Sequence, residues 1–176
     1  MDYQEIINTC YCGDGKEKLA KAESLAEEYG HSLSQQRDVL DQLAVVQTAV
    51  EVLDAHMAAM EMGKTCSQCA ARPDGGCCSA YMGNENNDAL QLLMNILAGV
   101  EVKLIRDDGV ECCFLGERGC VLLFKPIFCL NYLCGRIQEG SDKEELRQLE
   151  QKTGALLTAQ STLEQIIIRF LQQSSV

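Results

Sequence analysis

The sequence has few basic residues and no long apolar segment. Its 15 lysines and arginines are outnumbered by 26 aspartates and glutamates, which gives a formal net charge of -11 at pH 7. The basic residues are scattered, so nothing offsets the repulsion between this charge and phosphate backbones or anionic lipids. No apolar run approaches the roughly 20 residues that a membrane-spanning helix requires. We therefore predict neither a nucleic-acid partner nor a membrane partner.

Catalytic motifs are missing as well. The sequence has no GxxxxGK(S/T) phosphate-binding loop, no GxSxG turn, and none of the cysteine runs of radical S-adenosylmethionine enzymes or bacterial ferredoxins. Its only histidines, His31 and His56, lie outside the cysteine-rich stretch, whereas hydrolytic zinc sites often use histidine. We expect His31 in a loop and His56 solvated on a helix. The sequence predicts no hydrolysis, leaves the catalytic residues unknown, and does not decide whether the chain is an enzyme.

The N-terminus has no basic segment followed by an apolar run, so we expect no secretion signal. The count of 11 cysteines is odd, as expected where thiols stay reduced and do not pair as disulfides. These features predict a cytoplasmic protein with free thiols. With 47% hydrophobic residues, the chain is long enough to bury a core of its own.

Helical periodicity dominates both ends of the chain. Apolar residues recur at steps of three and four over 16–29, 34–62 and 142–172, and a shorter pattern covers 89–98. Gly30 suits a left-handed cap for the first helix, and Gly99 suits the stop of the short one after a start at Asp88. Ser141, followed three residues later by Glu144, predicts a capping box at the start of the last helix.

These patterns predict a mainly α fold in which a helical bundle scaffold, residues 1–63 and 140–176, flanks a cysteine-cluster region, 64–138, within a single domain over 1–176. The long stripes favour an intramolecular antiparallel bundle, although an intermolecular coiled coil, and hence a homodimer through amphipathic helices, stays open. Short apolar runs between 100 and 124, with a turn signal at 106–109, predict one or two small β-hairpins in the cysteine region.

Nine of the cysteines fall between Cys66 and Cys134. Thiolates packed this densely favour zinc, Cu(I) or iron-sulfur clusters, because soft sulfur ligands select these centres. A set of buried, unliganded thiols is the alternative interpretation. Apolar packing alone, however, gives no reason for a C-x2-C pair, two cysteine doublets and a final C-x4-C pair. The stretch is therefore predicted to hold metal.

The strongest part of the pattern is Cys66-x2-Cys69, in which a turn can bring two sulfurs to one ion. A predicted turn at 73–76 would fold the chain back so that Cys77 or Cys78 reaches the same site. Neighbouring residues of an extended chain point to opposite faces. We therefore expect one member of this doublet to bind while the other packs, or the two to serve different centres.

The order of these cysteines resembles the bacterial cysteine-cluster proteins of the YkgJ type, described as zinc- or iron-chelating. The resemblance covers residues 64–136 and follows a C-x2-C-x2-C-C signature, a C-x-F-L segment, a Gly-Cys pair, and an Arg-Pro-x2-Cys-Arg segment with a closing cysteine. The sequence departs from that pattern in the longer gap before Cys77, in Lys125 where arginine is usual, and in Leu130 where the second arginine is usual. The resemblance implies eight metal ligands: Cys66, Cys69, Cys77, Cys78, Cys112, Cys120, Cys129 and Cys134.

Eight cysteines can be divided in two ways. Two tetrahedral zinc centres would use all of them, whereas one four-iron cluster needs four and leaves the others around it. The sequence does not decide between zinc and an iron-sulfur cluster as the cofactor. Cys113 is expected to pack as a small apolar residue, and Cys10 and Cys12 are expected to be spare reduced thiols.

We therefore expect a cysteine-ligated, non-hydrolytic metal-binding protein. Two other functions stay open. Relatives with the same cysteine signature include a flagellin lysine methylase, so the resemblance also implies an iron-sulfur-dependent protein-modifying enzyme or an accessory subunit. Spare thiols and an acidic surface instead fit a protein that stores metal or delivers it to a protein partner.

Overall fold

The computed structural model describes residues 2–70, 76–117, 119–131 and 133–174. Within these ranges the chain forms nine α-helices and one two-stranded antiparallel hairpin. The prediction of a mainly α fold with a short hairpin is confirmed. None of the helices in these ranges combines the length with the apolarity that crossing a bilayer demands. The helices are α1 (Tyr3–Cys10), α2 (Gly15–Leu33), α3 (Arg37–Ala59), α4 (Met62–Ala70), α5 (Ala80–Asn86), α6 (Ala89–Leu97), α7 (Ile127–Asn131), α8 (Gly135–Gly140) and α9 (Lys143–Gln173), and the strands are β1 (Leu115–Gly116) and β2 (Gly119–Cys120).

Helices α3 and α9 are the longest and pack against each other in opposite directions. The Gln42 side-chain amide donates to the carbonyl oxygen of Ala159 at 2.9 Å, and the His56 ring nitrogen Nε2 lies 2.9 Å from the carbonyl oxygen of Glu145. Because the numbering rises along α3 while it falls along α9, the pair is antiparallel, as the intramolecular bundle predicts. The solvated position expected for His56 is wrong, since its ring contacts α9.

The hydrophobic core is built from the predicted stripes and from α6. Burying one leucine, isoleucine or valine side chain stabilises the fold by about 1.5–3 kcal/mol, which explains why helices of this length hold together. Helix α6 packs on α2 and also contacts α9. The buried stripe residues are Val39, Leu43, Val46, Val50 and Leu53 of α3 and Leu149, Leu156, Leu163 and Ile167 of α9.

The predicted helix over 34–62 is observed as α3, which begins and ends three residues inside the predicted limits. Helix α3 ends at Ala59, Glu61 has a positive φ of 50°, and α4 begins at Met62. A residue in the left-handed region does not continue a right-handed helix. The break at Glu61 therefore gives the following stretch, with Cys66 and Cys69, a helix of its own.

Two other predicted boundaries are wrong. Helix α2 continues past Gly30 to Leu33, which is fully buried, so His31 lies in a helix and not in a loop. The capping box of α9 uses Asp142 and Glu145, one residue later than predicted. The limits of α6 are as expected, with an aspartate cap before it and a positive-φ glycine after it.

The β structure in the cysteine region is small. The hairpin pairs Leu115 with Cys120, and an isolated antiparallel bridge joins Ser79 to Glu111. Gly109 has a φ of 70°, which the predicted turn at 106–109 requires. Among the described residues, one hairpin therefore occupies the stretch where one or two were expected.

A buried amide on α6 attaches the cysteine region to the helices. Asn95 is fully buried, and its Oδ1 accepts hydrogen bonds from the backbone N–H groups of Leu123 at 2.8 Å and Phe124 at 3.0 Å. Its Nδ2 donates to the carbonyl oxygen of Phe124 at 2.9 Å, and the Gln91 amide donates to the same oxygen at 2.7 Å. Segment 123–124 has no regular secondary structure. The side chains of Asn95 and Gln91 therefore supply the hydrogen-bond partners that its backbone groups would otherwise find in a sheet.

A third amide continues this attachment from α9. Gln160 donates through Nε2 to the carbonyl oxygen of Lys125 at 3.0 Å. Segment 123–125 connects Cys120 to Cys129, so its attachment to α6 and α9 determines where these two cysteines lie. The helical scaffold and the cysteine region are joined by these hydrogen bonds as well as by apolar packing.

Replacing Asn95 with alanine should lower the free energy of unfolding by about 2–4 kcal/mol, because a buried and a partly buried N–H group lose their acceptor. Urea denaturation measures the change. Gln165→Ala, which removes an exposed amide of α9, is the matched control and should alter stability by less than about 0.5 kcal/mol. Equal stability of the Asn95→Ala and wild-type proteins would show that other contacts hold segment 123–125.

Candidate metal centre

Cys66 and Cys69 lie on the short helix α4 and not in a turn. Residues three apart on a helix face the same side. The C-x2-C spacing therefore places both thiols on one side of a helix, whereas a turn was predicted. Both side chains are partly buried. The helix presents them together toward the rest of the cysteine region.

Cys77 and Cys78 lie in a bend and not in an extended strand. The next residue, Ser79, caps α5 by accepting a hydrogen bond from the N–H group of Met82. The two cysteine side chains do not point to opposite faces, as they would in an extended chain, because the backbone bends. The Cys78 thiol donates a hydrogen bond to Cys77, and both residues line one cavity. Of the predicted turn at 73–76, residues 73–75 lie outside the described residues.

The other cavity cysteines come from the C-terminal part of the region. Cys129 lies on α7, and Cys134 is the N-cap residue of α8. Just before α7, the Lys125 ammonium group reaches the carboxylate of Asp54 on α3 at 3.2 Å, with only 16% of the lysine side chain exposed. This ion pair and the hydrogen bond from α9 both fix the chain shortly before Cys129.

One cavity of about 700 Å³ brings most of these thiols together. The cysteines on its wall belong to four parts of the chain, namely α4, the bend at 77–78, α7 and the start of α8. The convergence of such distant segments is a property of the tertiary structure. Six of the eight predicted ligands line this cavity: Cys66, Cys69, Cys77, Cys78, Cys129 and Cys134.

Cys112 and Cys120 lie beside the cavity. The Cys112 N–H group donates to the carbonyl oxygen of Cys78 at 2.9 Å, and Cys120 belongs to β2. Charges on Cys120 and Cys112 help to raise the pKa of the Cys129 thiol, after the larger effect of burial, so these three groups are within electrostatic reach of one another. The structure thus brings all eight predicted ligands into one neighbourhood.

Four of these eight thiols, Cys66, Cys78, Cys120 and Cys129, resist ionisation. Burial, followed by charges on neighbouring cysteines, raises the pKa of Cys66 to about 11 and that of Cys129 to about 12. Burial also raises the pKa of Cys120, which keeps some exposed surface although protein surrounds its other sides. Cys77 and Cys112 differ, because a hydrogen bond from the neighbouring cysteine lowers the pKa of each thiol. A bound dication would favour the thiolate forms and would therefore release protons.

The thiols are close together without forming a finished ligand set. Among the described residues, no group of three or more histidine, cysteine, aspartate or glutamate side chains is positioned to hold a metal ion. Each doublet is instead hydrogen-bonded internally, Cys78 with Cys77 and Cys113 with Cys112. Binding would require side-chain rotation toward a common point, and metal binding stays a prediction.

Sequence reasoning missed several residues of the site. Met57, Met62 and Met82 line the cavity, and nothing in their spacing separates a cavity-lining methionine from a core one. Gly83 of α5 lies against Cys112: a Cβ atom at this glycine would be 2.9 Å from the cysteine Sγ. Nothing in the sequence signalled this role, since no helix was predicted over 80–86.

The remaining three cysteines lie apart from the cavity. Cys10 is fully buried in the core, and Cys12 is exposed. Cys113 lies against the start of α2, where a Cβ atom at Gly15 would be 3.1 Å from its Sγ. These three positions agree with the packing and spare-thiol roles expected from the sequence, and all 11 cysteines are free.

Gly83→Ala should displace Cys112 and destabilise the protein by about 1–3 kcal/mol, because the added methyl group overpacks a buried position. Gly154→Ala is the control, since no atom lies within 4 Å of a Cβ at that α9 position, and it should stabilise the helix by about 0.5–1 kcal/mol. Thermal unfolding of the two variants measures both effects. A Gly83→Ala protein as stable as the wild type would show that Cys112 is free to move away.

The chain matches no protein-family model, no curated protein and no solved structure. The resemblance to YkgJ-type proteins therefore rests on the order of the cysteines, and the site has to be judged by its own geometry.

Proposed function

We propose that this chain is a cytoplasmic metal-binding protein that holds zinc or an iron-sulfur cluster through cysteine thiolates. One observation carries the proposal: six cysteines from four parts of the chain line a single cavity. Of the two remaining predicted ligands, Cys112 donates a backbone hydrogen bond to Cys78, and Cys120 lies within electrostatic reach of Cys129. Membership of the YkgJ-type family is part of the same proposal and is supported by the order of these cysteines.

The donor set determines the class of metal. Besides six cysteines, three methionines line the cavity, and Glu139 is the one carboxylate among its described lining residues. Soft thiolate and thioether sulfur favours zinc, Cu(I) and iron-sulfur clusters, whereas magnesium and calcium prefer oxygen ligands. The cavity therefore favours the soft metals.

Thiolate ligation also indicates the kind of chemistry. A zinc ion with four cysteine ligands keeps no open position for water, and such closed sites stabilise folds and do not hydrolyse substrates. Four thiolates around an iron-sulfur cluster likewise saturate its protein ligands. We therefore propose a non-hydrolytic centre, and we assign no residue a catalytic role.

Two observations favour the alternative functions. A cavity of about 700 Å³ is within the range of about 300–1,000 Å³ that small-molecule sites occupy, which favours an iron-sulfur-dependent enzyme or accessory subunit with room for a substrate group. Cys120 and Cys129 keep exposed surface, which favours storage or delivery of metal to a partner protein. Transfer of metal to an acceptor chelator distinguishes delivery from the other functions.

Protein purified without oxygen should contain zinc or iron in roughly stoichiometric amount, and Cys66→Ser should lower that content several-fold because it removes a thiolate from the cavity wall. Elemental analysis measures the metal. The absorption spectrum identifies it, since thiolate-ligated iron clusters are coloured and zinc is not.

Cys12→Ser is the matched control, because Cys12 is exposed and outside the cavity, and its metal content should equal that of the wild type. The proposal fails if the anaerobically purified wild-type protein carries neither metal, or if Cys66→Ser and Cys12→Ser retain metal equally.

A further inference from the structure

We propose that the chain forms a homodimer through the outer face of the α3–α9 pair, with α3 of each copy lying on α9 of the other. The sequence left open an intermolecular coiled coil built from the apolar stripes of these helices. Both stripes are buried within the chain, so a dimer has to use the opposite side. The proposal goes beyond metal binding, because the described residues that line this face and those that line the cysteine cavity are different.

The outer face carries large apolar side chains that the described part of the chain leaves uncovered. Val45 is 52% exposed and Val52 is 49% exposed, and their spacing of seven residues places them on one side of α3. With residues of α9 they line a groove of about 800 Å³ between the two helices. Exposed apolar side chains rimmed by polar ones are typical of an interaction surface.

The groove differs in charge from the rest of this acidic chain. Its described lining residues include two bases, Arg147 and Lys152, and no acid. Arg147 pairs with Glu144 of its own helix at 2.6 Å. Lys152 instead donates to the neutral side-chain amide of Gln148 at 3.0 Å, and it forms no salt bridge with a described residue. The groove therefore offers a cation to an incoming acid.

Helix α3 supplies an acid on the same face. Glu51 is exposed and also forms no salt bridge with a described residue. It follows the groove-lining Ala44 by two helical turns, so it lies on the same side of α3. One chain thus carries both members of a complementary charge pair, which favours a second copy over a different protein as the occupant.

The antiparallel packing sets the two charges at nearly the same height along the helices. His56 of α3 contacts Glu145 of α9, and counting five residues back along α3 and forward along α9 places Glu51 level with residue 150. Lys152 then lies about 3 Å further along the axis. A twofold axis that runs parallel to the helices within the interface keeps this height and exchanges α3 with α9, as a self-complementary dimer requires. Glu51 of each copy then meets Lys152 of the partner subunit.

The face is large enough for a stable dimer. Helix α3 has 23 residues and is therefore about 35 Å long, and two helices packed side by side present a face about 20 Å wide. The resulting area of about 700 Å² per copy is close to the roughly 800 Å² that each partner buries in a specific interface of standard size. The four helices would form a bundle across the twofold axis.

Sedimentation velocity of the full chain under reducing conditions, which prevent disulfide-linked dimers, tests the proposal. The wild type should be dimeric at about 100 μM, above the micromolar Kd of a weak specific interface. Val45→Glu should make the protein monomeric, because it places a carboxylate in the apolar part of the interface. Val110→Glu is the matched control, since Val110 is an exposed valine outside the groove, and it should stay dimeric. Circular dichroism checks that both variants keep their helices.

Charge reversal tests the pairing itself. Glu51→Lys and Lys152→Glu should each raise the dimer Kd by about tenfold or more, because each sets like charges together twice in the dimer. Mixing the two variants in equal amounts should restore a dimer of about wild-type affinity, because both pairs across the interface then have opposite charges again.

A wild-type protein that stays monomeric at this concentration would overturn the proposal and leave the face to a different protein. A dimer that survives Val45→Glu would show that another face is used. Charge variants that fail to associate when mixed would overturn the pairing of Glu51 with Lys152, and with it the twofold arrangement. None of these outcomes depends on whether the cysteines hold metal.

Discussion

The hydrogen bonds of the buried Asn95 amide are the interaction on which the cysteine region depends. Segment 123–125 has no regular secondary structure, and its buried backbone groups need partners in the protein interior. Asn95 supplies both an acceptor and a donor to this segment, and Gln91 and Gln160 supply further donors. The helices thus provide a rigid surface against which an irregular, thiol-bearing stretch of chain is held.

This arrangement explains how a helical bundle can carry a cysteine cluster. Apolar packing of α3 on α9 accounts for the stability of the scaffold, whereas the thiols lie on α4, a bend, a hairpin strand, α7 and the start of α8. Short elements of this kind bury little apolar surface of their own, so polar contacts to the scaffold and, in our proposal, bound metal hold them in place.

The long helices were predictable because their apolar stripes repeat over many turns. The ends of these helices were harder to predict. Gly30 suits a helix end because glycine adopts the left-handed conformation easily, yet α2 continues to Leu33, whose side chain is buried in the core. The capping box shifted by one residue since Ser141 and Asp142 both have capping chemistry and local preference does not rank them. The break at Glu61 had no signal, because glutamate is an ordinary helix former whose identity does not predict a positive φ.

The candidate ligands came from the sequence through the resemblance of its cysteine order to the YkgJ-type pattern, and the spacing and doublets of the cysteines pointed to metal binding in general. The sequence likewise determined the mainly α class, because helical periodicity can be read from residues that are close together in the chain. The tertiary structure decided which thiols share a cavity, that both members of the doublet face it, and that Cys112 lies beside Cys78. These relations join residues far apart in the chain, and they depend on how the bend at 77–78 and the amides of α6 and α9 position irregular segments, which no local pattern encodes.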